Sequence, residues 1–270
     1  MSLYEGILIG VIQGVTEWLP ISSEGLITSI ASLGFGHTFK QAVSLSIWLH
    51  LGTACAAILS FRGHLFKISK DFIQDREHSK ELGPLIIAVL ISGMIGFPLL
   101  LLIREVPLTE GAGDATMILI GFFMVISGFI QRSRMESTAN IARRQLSITD
   151  ATFLGIAQGL SVMPGLSRSG LTISVLLLRG LDQQKAITTS YIISIPVALA
   201  AAGYIGITDG LFLSTINLLA SFVAFVFGLL TIRIVLGFAE RVNISKLLIG
   251  IGLMMVFASI PFLVARIYLT

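Results

Sequence analysis

Six stretches of mostly apolar residues, at roughly 40–61, 83–103, 115–131, 186–207, 211–235 and 247–268, constrain this chain more than any other feature. A helix needs about 20 such residues to cross the hydrocarbon of a bilayer. The third stretch is short and must borrow length from its flanks. None shows the period-2 alternation of a barrel strand. Charge is correspondingly scarce: 12% of the 270 residues are charged, against a mean hydropathy of +0.92. A soluble domain carries about 25% charged residues, so a soluble globular fold is excluded. The expected class is an all-α polytopic membrane protein with one membrane domain over 1–270.

One cysteine excludes an intrachain disulfide, and four scattered histidines argue against a zinc site. The net charge of +3 is no nucleic-acid signal, because the cations fall between apolar runs. The first apolar stretch lacks a basic leader and contains Glu5, so it is not expected to be a cleavable signal peptide. The segment 62–82 carries Arg62, Lys67, Lys70, Arg76 and Lys80, and 132–147 carries Arg132, Arg134, Arg143 and Arg144. The turn 236–246 adds Arg241 and Lys246, whereas 104–114 holds only Arg104 and 208–210 holds none. Cytoplasmic loops are the Lys/Arg-rich ones. The three richer loops are therefore expected inside, and the region near 36–39 and both ends outside.

Segments 1–35 and 148–182 cannot span in one piece. Each has an apolar run, a break and a second apolar run. The breaks hold Pro20 and Gly25 in the first, and Pro164, Gly165 and Gly170 in the second. They also hold Glu17, Glu24 and Arg168. Non-helical backbone at membrane depth persists only when buried in protein or lining a wet cavity. Two re-entrant helix-loop-helix hairpins are expected. At a constant offset of 145, Gly10 meets Gly155, Gln13 meets Gln158, Gly14 meets Gly159, Ser22 meets Ser167, Gly25 meets Gly170 and Lys40 meets Lys185. This is an internal duplication, about 1–135 and 146–270. With three spans per half, the second copy runs opposite to the first, an inverted-topology repeat whose tips meet near the midplane.

Helix N-termini aimed into the centre suit an anion such as phosphate. Ser22 and Ser167 fit that role and also fit plain N-capping. Arg168 in a membrane needs an anion, either a phosphate gripped by its planar fork or a structural carboxylate such as Glu17. Glu17 fits a cation ligand, an activator of water or hydroxyl, or the partner of Arg168. Ser23 fits a nucleophile, a phosphate ligand or a cap. Glu24 fits a second ligand of Mg²⁺ or Ca²⁺, or a charge facing water. His50, central in its span, fits a general acid or base or a neutral ring bonded to another helix. Thr172 fits a phosphate donor or a bond to its own helix. Gln13, Gly165, Ser169 and Gly170 complete the candidate substrate-binding set. Trp18 and Trp48 read as packing or interfacial residues, and Cys55 as a small buried hydrophobe.

The two breaks resemble the signatures of a known family, the undecaprenyl-pyrophosphate phosphatases of the BacA type. One family pattern, Glu-Gly-x-x-Glu-x-x-Pro-x-Ser-Ser-x-Gly-His, stands here as Gln13-Gly14-Val15-Thr16-Glu17-Trp18-Leu19-Pro20-Ile21-Ser22-Ser23-Glu24-Gly25-Leu26. The other, Pro-Gly-x-Ser-Arg-Ser-Gly-x-Thr, is matched in full by Pro164-Gly165-Leu166-Ser167-Arg168-Ser169-Gly170-Leu171-Thr172. The resemblance implies a multi-pass plasma-membrane phosphatase that cleaves a C55 polyprenyl diphosphate to monophosphate and inorganic phosphate, recycling a lipid carrier. It also implies a site open to the extracytoplasmic side, a divalent cation, and roles for Glu17, Ser23 and Arg168. Two motif positions depart, Gln13 for Glu and Leu26 for His, with Glu24 and His50 as candidate substitutes. The rival is a transporter of polyprenyl phosphate or a small anion, which shares the inverted-repeat architecture. A scaffold with a vestigial site is a third reading. The expected partners are the lipid and the bilayer, with no nucleic acid, and a homodimer is left open.

Overall fold

The computed structural model describes residues 1–19, 22–74, 81–105, 145–163 and 166–238, with single positions at 118, 122, 125, 126, 129, 132, 143, 246, 249, 250, 253, 256 and 257. Among these residues the fold is helical throughout, with no strand beyond an isolated bridge between Arg143 and Leu181. In chain order the helices are α1 (Leu3–Thr16), α2 (Ser23–Ser29, continued by a π-turn over Ile30–Gly34), α3 (Phe39–Ser60), α4 (Arg62–Gln74), α5 (Leu82–Glu105), α6 (Ile148–Leu160), α7 (Arg168–Leu178), α8 (Gln183–Thr208) and α9 (Thr215–Phe238). Four of them, α3, α5, α8 and α9, are long and apolar enough to cross a membrane. The spans expected at 115–131 and 247–268 fall almost wholly outside the described residues. The segment 62–82, expected as a loop, contains α4, with Phe66, Phe72 and Ile73 exposed beside its lysines.

The helix starts follow local chemistry, and they follow it twice. Ser2 and Glu5 form a capping box at the head of α1, and Ser147 and Asp150 form one at the head of α6. In each, the serine hydroxyl accepts from the backbone N–H three residues on, and the acidic side chain accepts from the serine N–H. Ser22 caps α2 by accepting from the Gly25 amide at 3.2 Å, and Ser167 caps α7 by accepting from the Gly170 amide at 3.2 Å. All four pairs stand at the offset of 145.

Neither α1, with 14 residues, nor α6, with 13, reaches across a bilayer. At about 1.5 Å per residue each covers roughly 20 Å of the ~30 Å hydrocarbon. Each lies instead against a long helix of the other half, α1 on α9 and α6 on α5. Glycines allow the approach. A Cβ on Gly10 would stand 2.5 Å from the Ala220 carbonyl, and one on Gly14 would stand 2.6 Å from Phe227 Cβ. A Cβ on Gly155 would stand 2.7 Å from the Ala88 carbonyl, and one on Gly159 would stand 2.7 Å from Ile95 Cβ. The glycines keep the offset of 145, but their partners, 220 and 227 against 88 and 95, are related by 132. The first half therefore carries 13 more residues between its first and second long helices, in the stretch that holds α4.

Helix α3 sits in the middle, packed on both α8 and α9, and is mostly buried. Helices α5 and α9 turn most of their length outward, with Leu90, Met94, Phe222 and Leu230 exposed. Such apolar surface is suited to lipid. Trp18 and Trp48 are both buried, as expected, and each indole N–H donates to an α9 carbonyl, Gly228 and Asn217, at 3.0 Å. Cys55 does not meet its expectation: it is exposed on the outer face of α3. That helix is apolar all round, so its sequence does not tell core face from outer face.

Candidate active site

The two breaks in the short-helix pairs touch each other. Arg168 is the first residue of α7, and its Nη2 donates to Glu17 Oε1. Ser169 Oγ donates to the Leu19 carbonyl at 3.0 Å, and Tyr191 of α8 donates to the Trp18 carbonyl at 2.6 Å. The chain after α1 is thus clamped at three successive residues by the other half.

Glu17 closes α1, its N–H bonded to the Gln13 carbonyl. Its carboxylate is the hub of the site. Besides Arg168 on Oε1, its Oε2 faces Gln13 Nε2 at 3.0 Å, Ser23 Oγ at 2.7 Å and His50 Nε2 at 3.2 Å. His50 reaches in from α3 and stands 3.7 Å from Glu24 Oε1. Its Nδ1 lies 2.9 Å from the Ser46 carbonyl. Both ring nitrogens therefore face oxygens that only accept, an environment satisfied by an imidazolium donating on both sides. The guanidinium and the imidazole thus face two carboxyl groups. A buried cluster of this size is sustainable only near neutrality. The hydroxyls of Ser22 and Ser167 are seen as caps. Thr172 donates to the Arg168 carbonyl at 2.7 Å and lies 2.6 Å from the Ser190 hydroxyl. Gly165 lies outside the described residues, as do Pro20, Ile21 and Pro164.

On the side chains that bond Glu17, two buried polar atoms lack a partner among the described residues: Gln13 Oε1 and Arg168 Nη1. The second matters for chemistry. One arm of the fork is spent on Glu17, the other has no partner among the described residues, and Arg168 borders a small space together with Ser23, Glu24, His50 and Ser167. Mg²⁺ or Ca²⁺ fits less well. Such hard cations ask for about six or more oxygen ligands. Among the described residues no group of three or more His, Cys, Asp or Glu is placed to hold a metal. Glu17 is already saturated by four donors, and His50 occupies the gap between it and Glu24. In this arrangement the residues do not fit a dication.

The site also recruits side chains that sequence reasoning passed over. Gln158, Ser161 and Ser194 border a second space next to Arg168. Their signal was present only for Gln158, as the repeat mate of Gln13.

Residues 6–262 match the family model described as "Bacitracin resistance protein BacA". The chain belongs to this family. Among BacA relatives it is 37% identical over 265 residues to an undecaprenyl-diphosphatase of Methanococcoides burtonii, covering 95% of this chain and 98% of that one. It is 36% identical to an undecaprenyl-diphosphatase of Methanothrix thermoacetophila, with 94% of this chain and 95% of the relative covered. It is 32% identical to one of Pyrobaculum aerophilum, over 94% and 96% of the two chains. Membership and the four long apolar helices together make this a multi-pass membrane protein.

Proposed function

We propose that this BacA-family chain hydrolyses a polyprenyl diphosphate of the undecaprenyl type to the lipid monophosphate and inorganic phosphate. The observation that carries the reading is Arg168: half of its guanidinium fork is paired with Glu17, and the other half is buried without a partner among the described residues, in a residue that borders the same small space as Ser23. Nη1 grips the terminal phosphoryl group, and the amide end of α7 adds a partial positive charge. Ser23 Oγ, 2.7 Å from Glu17 Oε2, gives up its proton to that carboxylate and attacks the terminal phosphorus. The bridging P–O bond breaks, and the lipid monophosphate leaves with the bridging oxygen. Water then hydrolyses the phosphoserine. Direct attack by a water that takes the place of the Ser23 hydroxyl on Glu17 is the competing route, and acid-quench trapping of a phosphoenzyme separates the two. Charge stabilisation by Arg168 and His50 supplies most of the rate.

The finer architecture belongs to the same proposal. Six spans and two re-entrant hairpins in an inverted repeat agree with the twice-used caps and glycine contacts. A plasma-membrane location with the site towards the extracytoplasmic side agrees with the distribution of Lys and Arg.

The test is phosphate release from a C55 diphosphate by purified protein in detergent, with a chelator arm that reads whether a cation brought by the diphosphate contributes. Arg168→Ala and Glu17→Ala are each expected to lower kcat/KM by about 10³-fold. A folded chain that binds the lipid and releases no phosphate would instead favour transport, which the inverted repeat also accommodates.

A further inference from the structure

One ionisable group of the site has no part in the chemistry so far. Glu24 is the second residue of α2, next in the chain to Ser23. Glu17 is held by four donors, whereas Glu24 has His50 Nε2, at 3.7 Å, as its only ion-pair partner among the described residues. The Glu24 side chain is 23% exposed, against 3% for Glu17. It borders two spaces. One is the small space at the breaks, shared with Ser23 and Arg168. The other is the second space, shared with Arg168, His50, Gln158, Ser161 and Ser194.

The polar end of the second space suits water. The space measures about 60 Å³, enough for ordered water that finds two or more polar partners. Gln158 is only 2% exposed, and its Nε2 donates to the Ile193 carbonyl at 3.1 Å. Its Oε1 has no partner among the described residues. A buried amide oxygen left bare is costly, and a water answers it by donating one proton. Ser161 and Ser194 spend their own protons on the Gln158 and Tyr191 carbonyls, each at 2.7 Å, so they too present acceptors to the space. Such a wall holds a water by its hydrogens. The duplication offers no other carboxylate for this place. At the offset of 145, Glu17, Glu24 and His50 stand against Val162, Ser169 and Ile195.

We propose that Glu24 is the general base of the second half-reaction, taking a proton from a water seated against Gln158 as that water attacks the phosphoserine. The proposal rests on the diphosphatase reading with Ser23 as nucleophile, and it divides the two steps between two carboxylates. In the first step Glu17 takes the Ser23 proton and the lipid monophosphate leaves. Glu17 is then protonated and is no base for water, so a second one is needed. In the second step the water oxygen bonds to phosphorus, and its proton passes to Glu24. The Ser23 Oγ–P bond breaks. The proton stored on Glu17, whose Oε2 lies 2.7 Å from Oγ, returns to Ser23. Inorganic phosphate departs with the other hydrogen of the water, and Glu24 gives its proton to solvent.

The test is rapid acid quench of the purified protein in detergent, with a C55 diphosphate radiolabelled in its terminal phosphoryl group. Glu24→Gln is expected to accumulate phosphoserine on the peptide that contains Ser23, with a burst of lipid monophosphate close to one per chain. Its later release of phosphate is expected to be at least about 100-fold slower than that of the natural chain. Gln158→Ala is expected to keep the burst and to slow phosphate release about tenfold. Burst and phosphate release that fall together in Glu24→Gln overturn the proposal, and so does unchanged phosphate release. If Glu24→Gln does not fold, Glu24→Asp is read in the same way. A natural chain that releases phosphate while no chain, natural or variant, yields a phosphoserine overturns the proposal and leaves the phosphatase reading standing. A natural chain that releases no phosphate overturns both.

Discussion

Charge is buried in this protein only where it is answered, and the answer can be read one carboxylate at a time. Glu17 needs four donors from four places in the chain to exist at its depth. Asp150 shows the same logic at the head of α6, away from the long spans. Burial works against its charge, but hydrogen bonds from Arg179 at 2.8 Å, from the Ser147 backbone at 3.0 Å and from Arg143 outweigh it. The carboxyl is held at about 2, below its ordinary 3.8. A carboxyl whose folded value is depressed stabilises fully above its unfolded value, and that contribution fades as pH falls towards the folded value. Asp150→Asn is therefore expected to cost about 1 kcal/mol at neutral pH, because solvent screens its half-exposed arginine partners, and to flatten the decline of Tm between about pH 4 and pH 2. Thermal unfolding of both proteins in one detergent across that range checks it; parallel curves would refute the assignment. The pairing of Arg168 with Glu17 was legible in the sequence because an unpaired cation in a membrane is so costly. The exposure of Cys55 was not, because on a helix with no polar face the orientation is set by neighbours.

Among the elements, closeness between helices rests on missing methyl groups. Gly52 is the tightest case: a Cβ there would lie 2.0 Å from the Ser221 carbonyl of α9. Backbone cannot step aside as a side-chain tip can. Gly52→Ala is expected to lose about 1–3 kcal/mol by forcing α3 and α9 apart. On α8, Gly203 meets nothing within 4 Å of a built Cβ. Gly203→Ala is expected to be neutral or stabilising by a few tenths of a kcal/mol, from better helix propensity. Melting midpoints of the two variants make the comparison, and equal losses would argue against glycine contact as the cause. The constant offset of 145 made the short helices and their serine caps legible. It did not disclose which long helix each one leans on, because that pairing crosses between halves and runs at a second offset.

At the scale of the whole molecule, four crossings and the contact between the two breaks were legible from hydropathy, spacing and the motifs. The second space beside Arg168 was not, since it depends on how side chains of α3, α5 and α8 meet. The proposed orientation has a direct check. In a Cys55→Ala background, Asp209→Cys is expected to react with a membrane-impermeant maleimide on intact cells, and Lys70→Cys only after permeabilisation. The reverse pattern would turn the molecule over and, with it, the leaflet from which the substrate arrives. The 13 residues that distinguish the halves have a bearing on this that concerns synthesis rather than the finished fold. A perfectly matched inverted duplication looks alike from either side, and a nascent chain built that way has no preferred way up. Here the mismatch is the basic stretch around α4, and it leaves the ribosome before the second copy of the repeat has been made. Under the proposed orientation, the first basic signal to leave the ribosome is thus a segment that contributes nothing to the chemistry.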